Sequence, residues 1–483
     1  MAPISFDLSR PLPLQPRQWQ SQLIQLLRSR VAQPAAAGHD LLVHAGPGAG
    51  KTLGALLGVW RLLHDRQIER FVVFSHRSAI AAQWRQAATR LGLELQPWSE
   101  AAGAIEPAGA GLLLSYQSAA LHQERLRDLL NRHGRWLAIA DEAHHLGLDP
   151  EDPEAAGWGQ AFSGLTGSAV LRLGLSGTPF RADQLAFCAA RRIRTRDGER
   201  IVPDLCVEPR QLIAAGDVRP LEFRFQDGWV DHGRGGLEGA AAGGELERSA
   251  LSAEQRESWR GRNLRRAIQL GDAQGIALRV LLAARQRLEQ VRGDHPEAGG
   301  LVIARDIAHA RRITDLLKEQ GDQVMLVHSL DPEAASHLQR FQQGQGDWLV
   351  SIDMCSEGFD APRLRVVAYL STVVTRSRFV QAITRAVRLQ DERCKGEPIP
   401  RHASYVYAPA DPLLMSHARS WSVSEPYLVR GSAEPDDAPP AAGGAWSPLD
   451  PLQAVADSAA DVIALGGPQL PGFVSNLPRK RSA

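Results

Sequence analysis

Cysteine is scarce. Cys188, Cys206, Cys355 and Cys394 are the only four in 483 residues, and no two form a C-x-x-C pair. That excludes the spacing of a zinc-binding or redox dithiol motif and leaves buried or merely tolerated thiols as the plain reading. Long apolar runs are missing as well. No stretch approaches the roughly 18 to 20 uninterrupted apolar residues of a membrane helix, and Met1 to Gln20 has no secretory apolar core. The chain therefore reads as a soluble, cytoplasmic protein with no membrane partner. Excess charge of either sign is also absent: 55 Lys and Arg stand against 54 Asp and Glu, a net charge of +1. Global charge thus argues neither for nor against nucleic acid, and only a local basic surface can.

The length allows two or three domains at about 100 to 200 residues each. Hydrophobic residues make up 44% and charged residues 23%, ordinary globular usage that rules out a largely disordered or collagen-like chain. Leu41 to Ala45, Phe71 to Ser75, Leu112 to Ser115, Trp136 to Ala140 and Leu171 to Leu175 are short apolar runs bounded by polar or glycine-rich turns. They read as buried strands. Helical stretches such as Thr52 to His64 and Ala79 to Leu91 lie between them, the alternation that builds a parallel sheet covered on both faces. A second alternation begins near Gly300, with strands Leu301 to Ala304, Gln323 to Val327, Leu349 to Ile352 and Val366 to Leu370, and helices Ile307 to Gln320 and Phe379 to Val387. The expected fold is α/β. Its expected parts are a first α/β domain at 1–210, an irregular linker or insert with a basic helix at 211–299, a second α/β domain at 300–410, and a loosely structured Pro/Ala/Gly-rich tail at 411–483.

Chemistry concentrates in two places in the first domain. Ala45-Gly46-Pro47-Gly48-Ala49-Gly50-Lys51-Thr52 follows one expected strand and opens a helix. Glycines let backbone N–H groups converge on phosphate oxygens, the helix start favours negative charge, Lys51 can reach the β and γ phosphates, and Thr52 can ligate magnesium. A glycine-rich turn with a chance lysine is the plain alternative, which the strand-before, helix-after context opposes. Asp141-Glu142-Ala143-His144 follows Trp136 to Ala140, which leaves its acids at the carboxyl end of a strand. Asp141 would hold magnesium, directly or through water, and Glu142 would orient or deprotonate an attacking water. Between Glu254 and Arg292, nine arginines stand against four acids. This is either a backbone-binding helix, with Arg262, Arg265 and Arg266 as candidate contacts, or a solvated salt-laced one.

This order of motifs resembles the DEAD/DEAH-box-type superfamily 2 helicases and translocases, over about Arg17 to Arg388, and looks closest to their restriction-enzyme and DNA-repair branch. The resemblance implies two tandem RecA-like domains, ATP and Mg2+ as cofactors, and nucleic acid, DNA before RNA, as partner. Arg17-Gln18-Trp19-Gln20 looks like the upstream element that touches adenine, so Arg17 and Gln18 join Gly46, Gly48, Gly50, Lys51 and Thr52 as nucleotide contacts. Ser176-Gly177-Thr178 looks like the motif coupling hydrolysis to domain movement, through Ser176 and Thr178. Ser75-His76-Arg77 with Gln83-Trp84, and Ser115-Tyr116-Gln117-Ser118, sit where the family grips one strand. Ser75 and Ser115 are also plain helix-cap candidates.

In the second domain Glu357-Gly358-Phe359-Asp360-Ala361-Pro362 resembles motif V. There Gly358 would allow close approach and Asp360 would accept from ribose or an arginine. Gln381-x-x-Thr384-Arg385-x-x-Arg388 resembles motif VI, with Thr384 where glycine is usual, and His144 would link the first-domain acids to Gln381. Arg385 and Arg388 fall three apart on the expected helix, sharing a face as two arginine fingers should; a surface basic helix is the alternative. Trp19 could pack on adenine or staple the first helix, Trp84 and Trp136 read as core or interface residues, and His145 has no assigned role.

The implied activity is nucleic-acid-stimulated ATP hydrolysis driving unwinding or translocation. Two alternatives remain open: a duplex-DNA translocase subunit of a restriction or phage-defence complex, with a nuclease or methyltransferase partner, and a non-catalytic nucleic-acid scaffold.

Overall fold

The structure is a computed structural model, and it describes residues 12–32, 39–76, 78–99, 111–132, 134–146, 153–177, 192–195, 198–232, 247–254, 256–271, 275–352, 359, 361–389, 402–422, 427–429 and 462–466. The chain divides into two compact units, Met1–Glu208 with Ser424–Asp436, and Pro209–Val423 with Asp437–Ala483.

In the first unit seven strands form one sheet: β1 (Asp40–Ala45), β2 (Arg70–Ser75), β3 (Leu95–Pro97), β4 (Gly111–Ser115), β5 (Trp136–Ala140), β6 (Leu171–Ser176) and β7 (Leu205–Val207). Their order is β3-β4-β2-β5-β6-β1-β7, and every pairing is parallel. Helix α1 (Gln18–Ala32) precedes β1, and α2 (Lys51–His64), α3 (Ser78–Arg90), α4 (Tyr116–Leu121), α5 (Gln123–Asn131) and α6 (Pro153–Leu165) lie between the strands in sequence. Because both faces are covered, strands such as β5 are buried at every residue, which is why they read as continuous apolar runs rather than alternating ones. One face packs Val72, Phe74, Leu114, Trp136 and Ala138 against Leu126, Leu130 and Phe162 of α5 and α6. Strands β3 and β7, three residues each, are too short for periodicity to mark.

The second unit holds another seven-stranded sheet, made of β8 (Leu221–Gln226), β9 (Gly299–Ala304), β10 (Val324–Val327), β11 (Trp348–Ser351), β12 (Leu364–Leu370), β13 (Ser404–Pro409) and β14 (Val462–Gly466). The order is β10-β11-β9-β12-β13-β8-β14, parallel throughout except for the antiparallel edge strand β14 on β8. Its helices include α7 (Glu257–Ala267), α8 (Ile276–Asp294), α9 (Ile307–Glu319), α10 (Ala334–Gln342), α11 (Arg376–Ile383) and α12 (Pro412–Ser420). After β9 the chain builds β11 and β10 on one side and then crosses to β12 on the other, so β9 and β12 flank a topological switch point, where open α/β sheets characteristically bind ligands. Two RecA-like α/β units are thus present in tandem along the sequence.

Three expectations are corrected. Segment 211–299, expected as an irregular insert, contributes β8 to the second sheet and α8 to its core, where Val280, Leu281, Ala284 and Leu288 pack with Val302 and Tyr405. The basic stretch is two helices, α7 and α8. Most of its arginine excess is spent internally: Arg260 pairs with Asp411, Arg285 with Asp322 and Glu289, Arg292 with Asp347, and Arg256 with Glu254. The segment after 411 also supplies α12 and β14, because Asp411, wholly buried, caps α12 by accepting from Leu413 and Leu414 N–H. The Gly/Ala patch Gly233 to Gly244 and the terminal Arg479, Lys480 and Arg481 lie outside the described residues.

Candidate active site

The glycine-rich loop leaves β1 and enters α2 at Lys51. Gly48 and Gly50 have φ of 78° and 79°, a left-handed backbone that a β-carbon would strain, so the glycines are dictated here. Ala45, standing where the common pattern has glycine, has no such requirement. It is the last residue of β1, registered against Val207 of β7, and its carbonyl accepts from Lys51 Nζ at 3.3 Å.

Helix α1 braces the loop from behind. Arg17 donates to Gly48 O at 2.8 Å, Trp19 Nε1 to Ala49 O at 3.1 Å, and Gln20 Nε2 to Gly50 O at 3.0 Å. Three carbonyls in a row are thereby held by neighbouring side chains. Gly54 on α2 makes this approach possible, since a β-carbon there would sit 2.9 Å from the Trp19 ring. Arg17, expected near adenine, and Trp19, left between adenine and a helix staple, thus both hold the loop, and Gln18 is exposed.

At the end of β5, Asp141 is fixed on every side. Its amide donates to Phe74 O at 2.9 Å, and its carbonyl accepts from Tyr116 Oη at 2.8 Å. One carboxylate oxygen accepts from Glu142 N–H at 3.0 Å and the other from Trp84 Nε1 at 2.6 Å. Burial, followed by the charge of Glu142, pushes the Asp141 carboxyl up to about 6. Glu142 has φ of 48°, a strained backbone for a non-glycine residue and one that occurs at functional sites. Its side chain is 26% exposed. Burial is the largest influence on it and acts upward, but Lys51 and the two histidines together hold its pKa below the ordinary value.

Glu142 Oε2 lies 3.4 Å from Gly177 N and 3.4 Å from His144 Nδ1, and His144 Nδ1 lies 3.4 Å from Ser176 Oγ. A β-carbon on Gly177 would overlap Lys51 Nζ. Lys51, Glu142, His144, Ser176 and Gly177 therefore form one constellation across the carboxyl ends of β1, β5 and β6. Thr52 follows Lys51 in the first turn of α2. A Thr hydroxyl and a buried carboxylate are hard oxygen donors, which suit magnesium.

Beside this group the rings of His144 and His145 are 4.3 Å apart, and those of His145 and His76 are also 4.3 Å apart. His145 thus connects the acid motif to His76 at the end of β2. Ser75 is buried, and Ser115 caps α4 by accepting from Ser118 N at 2.9 Å. Arg77 and Thr178 lie outside the described residues.

In the second unit, helix α11 ends at Ile383, and Thr384–Val387 form a tighter 3-10 turn. Thr384, 2% exposed, turns its hydroxyl back to Val380 O at 2.5 Å, a side-chain bond that competes with continuation of the α-helix. Arg388 follows in extended backbone. The expectation that Arg385 and Arg388 share a helix face is therefore corrected. Arg385 is buried and donates to Phe359 O at 2.6 Å, whereas Arg388 and Gln381 are half-buried. Gly358 and Asp360 lie outside the described residues.

At the switch point, Arg260, Leu264 and Arg265 of α7, Arg305 after β9, and Thr372 and Val374 after β12 line a cleft of about 440 Å³. Arg260 and Arg305 are matched by Asp411 and Asp306, and Arg265 is exposed. Arg262 and Arg266 flank it on the helix. Burial and the charge of Arg262 lower the Arg266 pKa, the mark of cations crowded on one face.

Two family models cover these units. The model described as type III restriction enzyme, res subunit, matches residues 13–181, and the helicase conserved C-terminal domain matches residues 285–390. The chain belongs to the superfamily 2 helicases related to restriction enzymes. An uncharacterized protein of Mycobacterium tuberculosis (strain CDC 1551 / Oshkosh) is 33% identical over 440 residues, covering 89% of this chain and 66% of that protein. A protein of Sulfolobus islandicus filamentous virus, assigned as a helicase, is 23% identical over 392 residues, 77% of this chain and 62% of its own length. The chain spans about two thirds of the length of these relatives. Among solved structures, a fragment from Vibrio vulnificus YJ016 assigned as the HsdR subunit of a type I restriction enzyme shares the fold. Its TM-score is 0.53 at 17% identity, over 86% of this superfamily 2 chain and 67% of that one.

Proposed function

We propose that the chain is a magnesium-dependent ATP hydrolase, stimulated by nucleic acid, that moves along or separates strands of DNA. The observation that carries this reading is the convergence on Gly177, with its amide 3.4 Å from Glu142 Oε2 and the space where a β-carbon would stand taken by Lys51 Nζ. A cation for phosphate, an acid for water and the coupling strand belong to one site. Lys51 and the loop amides bind the phosphates, and Thr52 and Asp141 would hold magnesium, which when bound draws charge from the phosphate oxygens. Glu142, kept ionised by Lys51 and the histidines, accepts the proton of the attacking water. His144, between Glu142 and Ser176, ties the base to the end of β6. In the second unit, Arg385 and Arg388 stabilise charge on the transferring phosphoryl group, and Arg262, Arg265 and Arg266 of α7 meet the phosphodiester backbone. The preference for DNA rests on the restriction-enzyme family match. ATP turnover measured with single-stranded DNA, duplex DNA and RNA tests the proposal, and turnover that ignores all three would sink it.

The same match supports a second reading, a duplex-DNA translocase that works without separating strands beside a nuclease or methyltransferase partner. Displacement of a triplex-forming strand without displacement of a paired strand would favour it.

A further inference from the structure

We propose that Trp84 is a positioning residue for the nucleotide site, holding the Asp141 carboxylate by its indole N–H and tying helix α3 to that carboxylate. The proposal rests on the reading of Asp141 as a magnesium ligand. Trp84 is fully buried and Asp141 is 6% exposed, so the 2.6 Å bond between them is made away from water, where a hydrogen bond to a charged acceptor is strong and its loss costly. Among the described residues, no other side chain donates to that carboxylate. The other carboxylate oxygen takes Glu142 N–H, and Tyr116 and Phe74 fix the Asp141 backbone. The backbone is therefore anchored without Trp84, but the rotation of the carboxylate would be left to the Glu142 N–H alone.

The donor comes from an informative place. Helix α3 starts at Ser78, directly after the Ser75-His76-Arg77 segment expected to grip a strand, and Trp84 lies about two turns into it. Tyr116 likewise opens α4 right after Ser115, and His76 reaches the acid motif through His145. All three links run from segments expected on nucleic acid to Asp141 or its neighbours. Of the three, Trp84 is the one that bonds the carboxylate itself, so a shift of α3 upon strand binding alters the orientation of Asp141 directly.

The test replaces Trp84 with Phe and, as a shape-preserving control against misfolding, with β-(3-benzothienyl)alanine, in which sulfur takes the place of the N–H. Binding of mant-ADP is titrated with magnesium chloride, and ATP turnover is measured with and without oligo-dT. Affinity for mant-ADP in EDTA is expected to match the wild type. The Mg2+ concentration for half the gain in affinity is expected to rise by roughly ten-fold or more, the usual effect of losing a partner that orients a metal ligand. Stimulation by oligo-dT is expected to fall at low Mg2+ and to return at excess Mg2+, which a packing defect would not allow. In an Asp141→Ala background, the Trp84 change is expected to add nothing. Coincident Mg2+ titrations for wild type and either variant would overturn the proposal alone. A wild type whose nucleotide binding ignores Mg2+ would overturn the reading of Asp141 as well, and a wild type that ignores oligo-dT counts against nucleic-acid stimulation without touching the Mg2+ titration.

Discussion

Gly177 lies so close to Lys51 that a β-carbon on the one would overlap the ammonium of the other. Because Nζ ends a flexible chain, Gly177→Ala is expected to fold normally and to displace the ammonium from its place beside Ala45 O. ATP turnover should fall by about 10-fold or more, as when a preorganised charge is misplaced by a fraction of an ångström, while the melting temperature stays within a few degrees. Turnover and thermal melting, measured side by side, check this.

Lys51→Ala and Glu142→Gln are expected to fail differently. Removing the ammonium should weaken nucleotide binding and cut turnover by at least ~10²-fold. Glu142→Gln keeps the shape and removes the base, so nucleotide should still bind while hydrolysis stops. Loss of both functions in a folded Glu142→Gln protein would give Glu142 a structural role instead.

The buried acid sets a pH dependence. With its carboxyl held at about 6 against an ordinary 3.8, Asp141 binds more protons folded than unfolded across that interval. Its ionisation therefore lowers stability as pH rises from about 4 to 6. For function the sign is reversed, because only the carboxylate attracts magnesium. Mg2+-dependent nucleotide binding at limiting Mg2+ should decline as pH drops through about 6. Glu142 raises the Asp141 pKa, so in Glu142→Gln that decline should move to lower pH. A flat profile between pH 5 and 7 would refute this.

Helix α7 carries two kinds of arginine, which mutation should separate. Arg260 meets the fully buried Asp411 at 3.0 Å, and Arg260→Ala is expected to destabilise the protein by about 3 kcal/mol, the scale for orphaning a buried charge. Arg262, Arg265 and Arg266 lie at i, i+3 and i+4, on one face. Reversing them to glutamate should leave the melting transition nearly in place while weakening nucleic-acid binding and flattening its dependence on salt. Unchanged binding would return this face to solvent.

Much of this organisation was legible because its causes are local. Buried parallel strands leave apolar runs, and the left-handed turns at 48 and 50 demand glycine. Acids at a strand end follow from the run before them. What stayed hidden depends on contacts between distant residues. Trp84 read as core because nothing in its own helix marks an acceptor 57 residues away. His145 had no role until its ring met those of His76 and His144. The bonds of Arg17 and Trp19 to loop carbonyls were also hidden, since the close approach of α1 to α2 depends on Gly54. The arginine excess of 254–292 was visible as a count, but its cancellation by Asp322, Asp347 and Asp411 required the fold.

The last expectation concerns Arg385 and Arg388, which the 3-10 turn at Thr384 puts in different settings. Arg385 is buried with a guanidinium hydrogen bond to Phe359 O, so Arg385→Ala removes a tether as well as a charge, and the second unit should lose stability along with activity. Arg388, half-buried in extended backbone after the turn, has the more accessible charge. Arg388→Ala should leave the melting transition and nucleotide affinity largely intact, because Lys51 and the loop amides belong to the first unit. Nucleic-acid-stimulated turnover should nevertheless fall by about 10³-fold, the lower range for loss of an arginine finger. Arg388→Lys should recover little of it, since an ammonium cannot reproduce the planar fork. If Arg388→Ala retains full stimulated turnover while Arg385→Ala merely unfolds, neither arginine acts on phosphate, and the turn that Thr384 imposes in place of glycine has given this segment a purely structural task.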